Sequence, residues 1–181
     1  MRFKFVKEAA TVVAIAASIP VFATAAVAAG SHGGGAEIGT PGAVSETTRT
    51  IEVKMYDNFY EPETIDIREG ETIRFVIKNE GELVHEFNIG TATGHAAHQE
   101  EMMMMVEHGV LEADRINWNA AKKMQASMGH GAHDDPNSTL LEPGQSGEVV
   151  WTFPEHATLE FACNVPGHYD AGMMGEINLT H

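Results

Sequence analysis

A chain of 181 residues, 43% hydrophobic, has room for one domain once any leader is set aside, and its single cysteine, Cys163, excludes an internal disulfide. With a net charge of −15 it presents a surface that repels nucleic acid and anionic lipid. A thiol kept in an exported chain needs a use, either as an inert buried group or as a metal ligand.

Export is written at the start. Arg2, Lys4 and Lys7 precede an apolar, alanine-rich stretch over residues 9–29, interrupted by Pro20, which is the layout of a secretory signal peptide over residues 1–28. The small residues Ala26 and Ala28 place cleavage after Ala28, with Ala23 to Ala25 as the alternative. Gly30, Ser31 and His32 follow in place of a basic stop-transfer flank, so no membrane association is expected after cleavage. The remaining chain holds eight basic and 25 acidic side chains, a net charge of −17. Such a surface favours cations and basic partner proteins, or serves only solubility.

Residues 29–47 read as a flexible, Gly-rich leader. From residue 48 to 181 the pattern is that of one domain of short strands. Ile51, Val53 and Met55 alternate, then Ile65 and Ile67 after a turn at Pro62, then Ile73, Phe75 and Ile77 within residues 71–79. Beyond a turn at Gly81, Leu83, His85, Phe87 and Ile89 share a phase, so His85 points where the core points. Strand patterns resume at 148–153, 158–163 and 176–180, and the set predicts an all-β sandwich. Residues 90–136 break the pattern: β-branched residues thin out, Met, His, Glu and Ala accumulate, and 99–108 and 114–128 predict helices. This is a Met/His-rich, partly helical insertion.

The stretch Cys163-Asn164-Val165-Pro166-Gly167-His168-Tyr169-Asp170-Ala171-Gly172-Met173 offers a thiolate, an imidazole and a thioether five residues apart. Those donors imply a soft, redox-active metal, and with His85 they make two imidazoles, one thiolate and one thioether, a set that copper accepts in both oxidation states. Zinc would bind the same donors, although structural zinc sites usually draw on several cysteines or close His and Cys pairs.

Phe59-x-Glu61-Pro62, Gly70-Glu71-Thr72-Ile73-Arg74-Phe75, Asn79, His85-Glu86-Phe87, Leu141-Glu142-Pro143-Gly144 and Cys163-Asn164-Val165-Pro166-Gly167-His168 together resemble the small blue-copper cupredoxins over residues 50–89 and 138–181. The resemblance implies a Greek-key β-sandwich and a mononuclear type 1 copper, with His85, Cys163 and His168 as strong equatorial ligands. Met173 is implied as the weak axial ligand, and Met174 as its substitute. It also marks a departure: Glu86 stands where small carriers of this family often have an asparagine that ties the two ligand loops. With its insertion, the chain resembles periplasmic copper-tolerance cupredoxins of the CopI type.

Within the insertion His95, His98, Met102 and Met105 fall at spacings that line one helix face, and Met104 with His108 makes a second such pair. Met124 and Met128 are one turn apart, followed by His130 and His133. Thioethers and imidazoles bind copper ions, so His95, His98, Met102, Met105, His108, Met124, Met128, His130 and His133 are candidate auxiliary copper ligands. The competing account is that the methionines pack the insertion, with His130 and His133 in a solvated loop. Three functions fit this sequence: periplasmic copper binding for tolerance, oxidation of Cu(I), and electron transfer to a basic redox protein. A multicopper oxidase is set aside because this chain has no clustered His-x-His pairs, and a binuclear copper centre because it has no second cysteine.

Overall fold

The computed structural model describes residues 35–128, 133 and 135–181. In chain order these form α1 (Gly35–Ile38), β1 (Thr40–Pro41), β2 (Arg49–Tyr56), β3 (Phe59–Glu61), β4 (Thr64–Arg68), β5 (Thr72–Asn79), β6 (His85–Gly90), α2 (Ala92–Glu107), α3 (Trp118–Met128), β7 (Ser138–Leu141), β8 (Ser146–Thr152), β9 (Leu159–Ala162) and β10 (Met174–Thr180). The expected signal peptide, its cleavage site and His130 lie outside the described residues.

Two five-stranded sheets, ordered β1-β8-β5-β2-β3 and β4-β10-β9-β6-β7, pack face to face. Period-two alternation puts Val53, Met55, Ile73, Phe75, Ile77, Phe87, Ile89, Trp151 and Phe161 between them, and burying these apolar faces drives the sandwich together. Tyr60 sits among Phe87 and Phe161 at near-perpendicular ring angles, and its hydroxyl donates to the Glu86 carbonyl at 2.6 Å, pinning β3 against β6.

The leader differs from its expected flexibility in its second half. β1 pairs with β8 at Thr40↔Thr152 and Pro41↔Trp151, and the Trp151 indole donates to the Ile38 carbonyl at 2.7 Å. Composition suggested a loose linker, yet Gly39, at φ 110°, lies so close to the Thr152 carbonyl that no side chain would fit. Here glycine serves close backbone approach.

β6 is the strand that positions the site, and all six of its residues are buried. His85, Phe87 and Ile89 face the core, whereas Glu86, Asn88 and Gly90 face outward, where an antiparallel sheet would ordinarily meet water. The insertion covers that outer face. Thr91 caps α2 by accepting from the Gly94 amide, so the helix starts at Ala92, earlier than the sequence pattern predicts. The second helix starts later, at Trp118, behind Asn117, whose side chain accepts from the Ala120 amide. Between the two helices and the sandwich lies a second apolar cluster of Val84, Met102, Met105, Val110, Leu111, Ile116, Ala121 and Met124.

Candidate metal centre

At one end of the sandwich three side chains from two distant segments converge. His85 begins β6, Cys163 directly follows β9, and His168 lies in the loop between β9 and β10. The His85 and His168 Nδ1 atoms are 3.2 Å apart, with the Cys163 Sγ 3.3 Å from His168 Nδ1 and 3.8 Å from His85 Nδ1. The loop is folded back by the His168 amide donating to the Val165 carbonyl, and is closed by the Met173 amide on the His168 carbonyl and the Cys163 amide on the Met173 carbonyl. Met173 is thereby drawn into the core beside Cys163, while its neighbour Met174 is 37% exposed.

These donors fit a metal ion. Imidazole and thiolate bonds of roughly 2.0 to 2.3 Å around one centre require donor separations of about 3.5 to 3.8 Å, close to those found. His85 is fully buried, and its Nε2 lies 3.0 Å from the Asp57 carboxylate. Donation from Nε2–H to that carboxylate leaves the Nδ1 lone pair bare and aimed at His168 Nδ1 and the thiol. Burial lowers the pKa of both imidazoles, against an opposing pull from Asp57, so both stay neutral and able to ligate. Burial also pushes the Cys163 thiol up to about 12, so a metal must displace its proton.

Asp57 was not legible in the sequence: it occupies an ordinary turn between β2 and β3. Its carboxylate also accepts from the Glu82 and Leu83 amides, holding the loop that delivers His85. Gly81 packs so tightly against Asp57 and His85 that an added Cβ would strike both. Asn79 completes this loop, its amide donating to the Leu83 and Leu141 carbonyls.

Residues 47–180 match the family model of copper binding proteins of the plastocyanin/azurin family. This chain belongs to that family. A copper-resistant cuproprotein CopI of Pseudomonas aeruginosa is 44% identical over 169 residues, covering 88% of this chain and 90% of the relative. The CopI of Rubrivivax gelatinosus is 38% identical over 152 residues, covering 82% and 78% respectively. Among solved structures, auracyanin from Roseiflexus castenholzii (TM-score 0.52, 24% identity, 75% of this chain and 99% of that one) and auracyanin B (TM-score 0.54, 21% identity, 81% and 100%) share the Greek-key cupredoxin fold.

In this cupredoxin the departure at Glu86 has a structural answer. The Glu86 amide donates to Cys163 Sγ at 3.3 Å, and its Oε2 accepts from the Asn164 amide at 3.1 Å and the Asn164 side chain at 2.9 Å. A carboxylate therefore ties the segment that carries His85 to the one that carries Cys163.

The insertion residues divide into distinct environments. His95, His98, Met102 and Met105 do share the face that their spacing implies, but it looks onto the cupredoxin sheet. His95 is buried, with Nδ1 3.1 Å from the Asn164 side chain, and His98 and His133 both reach Glu86. Met102, Met105 and Met124 belong to the apolar cluster, since a helix against a sheet must bury one side and thioethers fill its gaps. His108 is exposed with Nδ1 2.8 Å from the Met104 carbonyl and belongs to no cluster of three or more His, Cys, Asp or Glu donors among the described residues, and Met128 is 45% exposed.

No helix among the described residues is long and apolar enough to cross a membrane.

Proposed function

We propose that this chain is a periplasmic copper-tolerance cupredoxin, exported by residues 1–28, with a type 1 copper centre formed by His85, Cys163 and His168. The observation that carries this reading is the approach of two imidazole nitrogens and one thiol sulfur to within 3.2 to 3.8 Å of one another. Burial favours Met173 over Met174 as the axial thioether. Bound copper supplies a one-electron couple. The chain supplies a pre-shaped donor set: Asp57 fixes the His85 tautomer, the Glu86 amide donates to the sulfur, and hydrogen bonds close the ligand loop before metal arrives. Electron exchange at such a centre suits oxidation of Cu(I), or exchange with a basic periplasmic redox protein drawn by the acidic surface.

The test is metal content and visible spectrum of the mature chain, titrated with Cu(I) without oxygen and then with Cu(II). More than one copper per chain, of which one is coloured, is expected. A single coloured copper would make the chain an electron carrier with a structural insertion, and a colourless protein would refute the copper-centre assignment.

Asp57 gives a finer check. Asp57→Ala should weaken copper binding at the main centre by about 10–100-fold, as loss of an orienting partner does elsewhere. An unchanged affinity in competition with a chelator would show that packing alone orients His85.

A further inference from the structure

The outer face of β6 carries a buried group that the main centre does not use in full. Glu86 Oε2 is committed to Asn164, but Oε1 points the other way, toward the insertion. There His133 Nε2 approaches to 2.6 Å and His98 Nε2 to 2.9 Å, and the two nitrogens are 3.3 Å from each other. The side chains are almost sealed from solvent, at 0% exposure for Glu86, 5% for His133 and 13% for His98.

We propose that Glu86, His98 and His133 form a second metal site, for a divalent ion of the Cu(II) class, between β6 and the insertion. Their ligand atoms all lie within 4.8 Å of one another. An ion pair needs only one imidazolium facing the carboxylate, whereas here two imidazole nitrogens approach one oxygen that also accepts from the Ser138 hydroxyl at 2.8 Å and the Asn88 side chain at 3.2 Å. Donors aimed at one acceptor repel one another; a cation shared by both nitrogens and the oxygen removes the conflict.

Two further observations point the same way. His98 turns its other nitrogen to Glu101 at 3.0 Å, the imidazole–carboxylate arrangement that orients metal-bound histidines. Among the described residues His133 Nδ1 is buried and has no hydrogen-bond partner, so no described hydrogen bond through that nitrogen explains why the ring is held there. Two imidazoles and a carboxylate form a borderline-to-hard set, which selects Cu(II) or Zn(II) over Cu(I), and Cu(II) binds most strongly among the first-row divalent ions. The methionines take no part, because Met102, Met105 and Met124 are in the apolar cluster. The choice of copper rests on the copper-tolerance reading; the donor set does not. The two sites are one residue apart in the chain, since Glu86 follows His85 and its amide donates to Cys163 Sγ.

The experiment titrates the mature full-length chain with Cu(II), following bound copper, the coloured band and electron paramagnetic resonance. Three forms are compared: the wild type, the double variant His98→Gln/His133→Gln, and Cys163→Ser. Glutamine keeps an N–H donor for the buried carboxylate while removing the ligating imidazole. The wild type should bind about two Cu(II), one coloured and one pale with nitrogen couplings; the double variant should keep only the coloured one. Cys163→Ser should keep only the pale one. A pale signal that survives in the double variant, or a wild type whose coloured centre fills with no second ion, overturns the second site. A wild type with the pale ion and no coloured band would instead refute the main centre and leave this site standing.

Discussion

Replacing Cys163 with serine should abolish the intense visible band of the copper-loaded protein entirely. That band requires a thiolate bonded to copper, and Cys163 is the sole cysteine in the chain. The thiol also sets how loading depends on pH. Burial holds it near 12, so it is protonated at neutral pH, while His85 and His168 are already neutral because burial lowers them. Loading at the main centre should release one proton, and apparent affinity should rise about tenfold per pH unit between pH 7 and 9. Calorimetry in buffers of different ionisation enthalpy reads the proton directly. A serine variant that stays coloured would eliminate Cys163 as a ligand.

Glu86→Leu should destabilise the metal-free protein by about 3–5 kcal/mol at pH 6, in the range found when one partner is taken from a buried ion pair. The carboxylate is fully buried and bonded to His98, His133, Ser138 and Asn164, so leucine would leave those donors stranded in a sealed space. Burial alone would raise the pKa of Glu86, but the charges and hydrogen bonds of His98 and His133 outweigh it and hold the group well below its ordinary 4.5. His98 is likewise opposed by burial, yet Glu86 and Glu101 lift it from 6.5 to about 9. A depressed carboxylate stabilises the fold above pH 4.5 and loses that contribution as pH falls; a raised histidine stabilises it below pH 6.5 and loses that contribution as pH rises through about 9. The gap between wild type and variant should therefore be largest between these limits and narrow toward pH 9. Urea unfolding across that range tests it, and a gap under about 1 kcal/mol at pH 6 would mean that Glu86 behaves as a solvated surface residue.

Much of the fold was legible in the chain. Alternation at Ile73, Phe75 and Ile77, and at His85, Phe87 and Ile89, is a local property of a strand with one face in a core, so the sandwich and the inward aim of His85 could be read directly. The grouping of Cys163, His168 and Met173 was equally local, because a single loop carries all three. Helix spacing likewise put His95, His98, Met102 and Met105 on one face of α2.

What that face looks onto was decided by the tertiary structure. Periodicity places a residue on a side of a helix, but the opposing surface comes from strands far away in sequence. Here the end of α2 bearing His95 and His98 meets polar Asn164 and Glu86, whereas the end bearing Met102 and Met105 meets Val84, Ile116 and Met124. Asp57 was hidden for the same reason, since a carboxylate in a turn carries no mark of the imidazole it will orient 28 residues later. Glu86 showed in the sequence only as a misfit for the asparagine of small carriers. Its burial and its two imidazole partners exist because the insertion folds back over the outer face of β6 and excludes water from it. Local pattern thus determined the strands and the grouping of Cys163, His168 and Met173 on one loop; long-range packing determined which polar groups share a sealed space, where charge and desolvation are felt most strongly.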